Sequence, residues 1–265
     1  MPGKIRVGIG GWTFEPWRET FYPPKWPKAR ELEYASGRVT AIEINGTFYS
    51  TQKPATWADW ARRTPDDFVF SIKASRFCTN RRVLAEAGES IDKFVNQGLA
   101  ELGPKLGPIL WQFAGTKKFD PEDFGAFLKL LPTSVGGLPL RHAIEPRHES
   151  FRDPAFVAMA REAGAAIVFA DAEDHPQFAD LTGAFVYSRL QNAHEEVPTG
   201  YDDAALDRWA ETARDWAAGR APEGYNYIET PKGDGLARDT FVFMINGAKV
   251  RAPAAAMALI ERVGR

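Results

Sequence analysis

Short apolar runs bounded by turn residues recur along the chain, and several end in polar or charged side chains: Ala41-Ile42-Glu43-Ile44-Asn45, Phe68-Val69-Phe70-Ser71-Ile72-Lys73, Ile109-Leu110-Trp111-Gln112, Ala143-Ile144-Glu145-Pro146-Arg147 and Phe185-Val186-Tyr187-Ser188-Arg189. Strands that are apolar along their length and charged only at their C-terminal ends fit a parallel barrel with its working face at one rim. Between these runs the pattern switches to helical spacing. It is clearest over Asp202 to Ala218, where Leu206, Trp209, Ala210, Ala213 and Trp216 recur every three or four residues.

The whole pattern predicts strands at Ile5 to Gly10, Thr40 to Asn45, Phe68 to Lys73, Pro108 to Gln112, Leu140 to Glu145, Ala165 to Ala170 and Ala184 to Leu190. The eighth begins at Tyr227 or Thr240, and the run Phe241-Val242-Phe243-Met244-Ile245 favours Thr240 to Ile245. Helices are expected at Lys28 to Ser36 with Gly37 as C-cap, Ala55 to Arg63, Ser90 to Leu102, Pro121 to Leu131 with Asp120 as N-cap, Pro154 to Ala163 and Ala252 to Val263. Strand alternating with helix eight times argues for a single α/β domain over residues 1–265, a (β/α)8 TIM-type barrel with parallel strands and outer helices. The alternative is an open doubly wound sheet.

A chain of 265 residues, 44% hydrophobic, fits one such barrel. With 33 Lys and Arg against 35 Asp and Glu, the formal charge of −2 offers no global attraction to nucleic acid or anionic membranes. Cys78 is the one cysteine, which excludes an intramolecular disulfide and any cysteine-built metal cluster; it reads as a structural thiol. No signal segment or long apolar run is visible, so a cytoplasmic location is expected, without membrane attachment. The aromatic cluster Trp12, Phe14, Trp17, Phe21, Tyr22 and Trp26 reads chiefly as core or loop packing, with an aromatic wall at the mouth as the alternative.

Candidate chemistry follows from strand parity. Glu43 and Asn45 share one face, Glu145 and Arg147 repeat the arrangement, and Lys73, Gln112 and Arg189 close their own runs. In a barrel these side chains meet at the C-terminal mouth. A satisfied plug of salt bridges is one reading of such a ring. An active site is the other, favoured because every member lies at the C-terminal end and none at the N-terminal end. On that reading Glu43 and Glu145 are the acid–base pair, and Lys73, Arg147 and Arg189 form an anion clamp.

A metal centre has weaker support. Six extended residues separate His142 from His148 by roughly 20 Å at ~3.3 Å per residue, too far to share an ion. His148 beside Arg147 suits hydrogen bonding or proton transfer. Asp171, Glu173, Asp174 and His175 form an acidic cluster, either a divalent-cation site or a solvated loop. The Gly8-Ile9-Gly10-Gly11 segment lacks the remaining spacing of a dinucleotide fingerprint and reads as a turn with close backbone approach.

Taken together, Gly10-Gly11-Trp12, Phe21-Tyr22-Pro23, Glu43-Ile44-Asn45-Gly46-Thr47-Phe48-Tyr49, Trp60 with Thr64-Pro65, Phe70-Ser71-Ile72-Lys73, Leu110-Trp111-Gln112, Glu145-Pro146-Arg147-His148 and Tyr187-Ser188-Arg189-Leu190 resemble the YecE-like family, domain of unknown function 72, over the whole length. The resemblance implies a TIM-type barrel with a polar pocket at its C-terminal mouth, and it carries no assigned reaction. The chain departs from the family pattern at Thr79-Asn80, at Gln191-Asn192 and at Phe113-Ala114; the first two are places where the family often has histidine.

The expected function is a metal-independent acid–base enzyme acting on a small anionic substrate, phosphorylated or carboxylated. Glu43 and Glu145 are its catalytic residues, and Trp12, Asn45, Tyr49, Lys73, Gln112, Arg147, His148 and Arg189 its substrate contacts. No cofactor is expected, although a divalent metal stays open. The alternatives are nucleic-acid or nucleotide binding with rim Arg76, Arg81 and Arg82 on phosphates, and a ligand-binding protein without turnover.

Overall fold

β1 (Ile5–Gly10), β2 (Ala41–Ile44), β3 (Val69–Lys73), β4 (Leu106–Gln112), β5 (His142–Glu145), β6 (Ala166–Asp171), β7 (Phe185–Leu190) and β8 (Asp239–Met244) form a closed barrel of eight strands. Each pairs in parallel with the next along the chain, and β8 closes on β1. The computed structural model describes residues 2–230 and 233–264.

Two apolar layers result from strand alternation. Ile42, Ile44, Phe70 and Ile72 point outward to the helices, while Ala41, Val69, Leu110, Tyr187, Phe241 and Phe243 fill the lumen. The aromatic rings of β7 and β8 take most of that space, and β1 makes room for them with glycine. A Cβ on Gly8 would stand 2.3 Å from the Ala41 carbonyl oxygen and 2.9 Å from the Phe243 ring. Gly8 and Gly10 therefore serve close approach from within a strand, and only Gly11 (φ 78°) lies in the turn.

Several helices start where expected. Asp120 accepts from Glu122 N at 3.0 Å and Asp123 N at 3.2 Å ahead of Pro121–Leu130, and Asp202 caps Asp203–Ala217 through Ala205 N at 2.7 Å. Other expectations need correction. Lys28 to Ser36 divides into a 3-10 turn, Lys28–Arg30, and a short α-helix, Glu31–Ser36, and Gly37 ends it at φ −76°, outside the left-handed region. Ser90 to Leu102 is broken: the α-helix Gly88–Val95 gives way at Gly98 (φ 119°) to a 3-10 stretch, Leu99–Lys105. Gly98 lies against Pro54, where a Cβ would come within 2.7 Å of the Pro54 Cα. An additional antiparallel hairpin pairs Ser134–Val135 with Leu138–Pro139; Gly136 and Gly137, both at positive φ, turn it.

The N-terminal end of the barrel is not free of charge. Arg141 lies over the Phe241 ring at 5.1 Å and pairs with Asp239 at 3.5 Å, which closes that end. The aromatic cluster after β1 packs inward, with Trp17 wholly buried and its indole N–H donating to the Lys249 carbonyl at 2.8 Å. Among the described residues no helix is long and apolar enough to cross a membrane.

Candidate functional site

Parallel register sets the depth of each side chain at the mouth. Glu43 is level with Gly10 and Ser71, and Glu145 with Gln112, so Lys73 stands one inward layer above Glu43. Lys73, Gln112, Arg147 and Arg189 converge with Asn45 and Tyr49 on a cavity of about 340 Å³ that opens at the C-terminal end. Asn246 and Lys249 complete its wall.

Beneath that wall lies a closed ionic layer. Glu43 and Glu145 have no solvent exposure, and Arg189 has 2%. Arg189 bridges them: Nε and Nη2 donate to the two Glu43 oxygens at 3.0 Å, and Nη1 donates to those of Glu145 at 2.9 and 3.0 Å. Glu145 also accepts from Arg147 Nη2 at 3.0 Å and Gln112 Nε2 at 2.7 Å. Glu43 accepts from the Tyr187 hydroxyl at 2.7 Å, and that hydroxyl meets Ser71 Oγ at 2.7 Å. A bidentate guanidinium between two buried carboxylates is a strong arrangement only while every partner remains.

Charge balance sets the proton affinities. Burial pushes the Glu145 carboxyl up, but Arg189, then Arg147 and the Gln112 amide, outweigh it and hold it at about 2. Burial and then Glu43 push the Tyr187 hydroxyl well above its ordinary value, so it is a donor at neutral pH. Above this layer Lys73 behaves differently. Burial, then Arg189, lowers its ammonium to about 8. Burial also lowers Lys249, whose ammonium sits 4.8 Å from the Phe14 ring centre.

Eight of the ten residues proposed from sequence gather here, six in the cavity wall and the two glutamates under it. Trp12 does not: its ring packs edge-to-face on Trp60 at 5.0 Å and against Phe70, toward the helices, because the turn at Gly11 ends the strand alternation. His148 does not either. Its Nδ1 accepts from Ser150 N at 3.0 Å and caps the 3-10 turn Glu149–Phe151. Of the rim arginines, Arg76 lies 5.9 Å from the Tyr49 ring, while Arg81 and Arg82 line a separate groove.

Asn246 and Lys249 were missed. Asn246 lies just past β8 on the opposite parity to the inward Phe241, Phe243 and Ile245, so strand parity does not point to it; Lys249 arrives only through the turn at Gly247 (φ 72°). In the sequence His175 belongs to an acidic cluster. Its side chain is almost wholly enclosed, with Nε2 3.4 Å from the Gln191 amide and Nδ1 without a hydrogen-bond partner among the described residues. Burial, then Arg147, lowers its proton affinity. Among the described residues no group of three or more His, Cys, Asp or Glu is placed to hold a metal ion, the Asp171 to His175 loop included. Asp171 instead accepts from the Asn192 amide at 3.0 Å.

Known proteins share this architecture. A DUF72 family protein of Thermotoga maritima MSB8 superposes with a TM-score of 0.74 at 20% identity, covering 97% of this chain and 98% of that one. A DUF72 family protein of Enterococcus faecalis V583 gives 0.69 at 18% identity, covering 98% and 95%. The structure of SacUVDE gives 0.54 at 9% identity over 97% and 98%, a likeness of fold alone. In sequence, the UPF0759 protein YunF of Bacillus subtilis (strain 168) is 26% identical over 157 residues, a match spanning 57% of this chain and about half (54%) of that protein. The family model described as "Protein of unknown function DUF72" matches residues 6–265, and the chain belongs to that family.

Proposed function

We propose that the mouth cavity binds a small anionic substrate, phosphorylated or carboxylated, and that the protein acts on it by proton transfer without a metal. One observation carries this reading: Lys73, Arg147, Arg189 and Lys249 all reach the cavity wall, and among the described residues no carboxylate does. The two glutamates that balance them lie below and are already engaged by Arg189. An anion entering the cavity thus meets two guanidiniums held in place by those glutamates and two lysine ammoniums beside them.

Proton transfer falls to Lys73 rather than to Glu43 and Glu145. Glu145, held at about 2, is an anion throughout the neutral range and has its oxygens occupied. Glu43 and Glu145 act as positioning residues that fix Arg189 and Arg147. Lys73 titrates at about 8 and so exchanges a proton near neutral pH. The donor set bears on metal in the same sense, since none of the wall residues is Asp, Glu, His or Cys.

Calorimetric titration of inorganic phosphate and of pyrophosphate at pH 7 and low salt tests the reading. Binding at one site, weakened at least tenfold in Lys249→Met with thermal unfolding unchanged, is the expected result. No binding of either anion would overturn it.

A second reading, contact with a phosphodiester backbone, is favoured by the groove of about 810 Å³ beside the mouth. Arg81, Arg82, Lys117 and Lys118 line it together with Asp120 and Asp123, Lys117 pairing with Asp123 at 2.6 Å, and Arg81 Nε makes no hydrogen bond among the described residues. It predicts retention of single-stranded DNA or RNA that falls steeply with salt. Absence of retention at low salt would dispose of it.

A further inference from the structure

The chain treats Lys105, which is buried, and Lys73, which is half-buried in the cavity wall, in opposite ways. Lys105, under the helix Pro54–Arg62, donates to the carbonyls of Ala61 and Thr64 at 2.5 and 2.7 Å and to Thr64 Oγ1 at 3.3 Å. That ammonium is fully provided for. Lys73 Nζ makes no hydrogen bond to any described residue and has no carboxylate within ion-pair distance. The Phe48 ring lies 4.2 Å from Nζ. The backbone beneath it is nonetheless fixed, since Thr47 Oγ1 donates to the Lys73 carbonyl at 2.6 Å.

We propose that Lys73 is a covalent nucleophile, whose amine forms an imine with a small aldehyde or ketone that also carries a carboxylate or phosphate. The inference rests on the anion-binding reading of the same cavity, in which Arg147 and Lys249 hold the anionic group while the carbonyl faces Nζ. Two features adapt Lys73 to this chemistry. No described residue accepts a hydrogen bond from Nζ, and burial, then the Arg189 guanidinium, opposes its protonation more strongly than Glu43 and Glu145 favour it. At about 8, roughly one amine in ten is neutral at pH 7, against a few in ten thousand for an ordinary lysine.

The step balances within the two reactants. The Nζ lone pair forms a bond to the carbonyl carbon, and the C=O π pair moves to oxygen. The resulting carbinolamine loses that oxygen with the two hydrogens from nitrogen as water, which leaves C=N. A cavity of about 340 Å³ admits a compound of a few carbons with its anionic group.

The test is reductive trapping. Wild-type protein at pH 7.5 is incubated with glyoxylate, and separately with glyceraldehyde 3-phosphate, in the presence of cyanoborohydride, then analysed by intact mass and peptide mapping. The expected result is one dominant adduct, equal to the probe less one oxygen atom, on Lys73. It forms at least tenfold faster than on any other lysine, is suppressed by inorganic phosphate and is absent in Lys73→Arg. Labelling spread over surface lysines with none favoured at Lys73 would overturn the imine, and the wild-type pattern decides this even if the variant folds poorly. Phosphate binding that persists in that case leaves the anion site standing. Loss of both removes the site itself.

Discussion

Replacing Glu145 with glutamine strikes the layer that supports the cavity. The carboxylate accepts from Arg189, Arg147 and Gln112, and the substitution turns one acceptor into an amide donor facing guanidinium groups. The carboxyl sits at about 2 in the folded chain against an ordinary 4.5, which corresponds to about 3 kcal/mol of stability at pH 7. Stranding part of the Arg189 charge adds to this, so the total loss expected for Glu145→Gln is about 3–5 kcal/mol. The sign of the pH dependence is fixed. A depressed carboxyl contributes fully above the unfolded value and loses its contribution as pH falls toward the folded one, so roughly 2 kcal/mol remains at pH 3.5. Urea unfolding followed by tryptophan fluorescence at pH 7 and pH 3.5 reads the difference. The gap between wild type and variant is expected to narrow by about 1 kcal/mol at the lower pH. A gap below 1 kcal/mol at pH 7, or one indifferent to pH, refutes the ionic layer as described.

Three other outcomes follow from the packing. Gly8→Ala places a methyl 2.3 Å from the Ala41 carbonyl and against Phe243, so it forces β1 from β2 and lowers the melting temperature by well over 5 °C, as differential scanning calorimetry will read. Lys105→Met leaves the Ala61 and Thr64 carbonyls without their donor and costs about 1–3 kcal/mol in urea unfolding, with phosphate binding unchanged. Cys78 is wholly buried, and burial pushes its thiol up to about 12, so it reacts with Ellman's reagent only at the rate of unfolding; fast reaction in native buffer contradicts that placement.

The barrel was legible because strand signals are local. Apolar runs such as Phe68 to Lys73 and Phe241 to Ile245 carry β-branched and aromatic residues bounded by turns, and their parity alone put Lys73, Gln112 and Arg189 on the inner face. Depth was not legible. Whether a carboxylate lines the cavity or lies under it depends on the stagger between neighbouring strands, which sets Glu43 level with Ser71 and below Lys73. Parity also fails beyond a strand's last residue. Gly11 swings Trp12 outward to Trp60, and His148 turns back onto Ser150, whereas Gly247 brings Lys249 inward from a segment without any strand signal. The break at Gly98 is of the same kind, since its cause is contact with Pro54, distant in sequence.

The most direct measurement is a crystal structure determined with inorganic phosphate at saturating concentration. Phosphate in the mouth cavity, bonded to Arg147 and Lys249 within hydrogen-bonding distance of about 3 Å, is the predicted result. A cavity filled with water alone, or a cation bound there by Glu43 and Glu145 after they release Arg189, would contradict it.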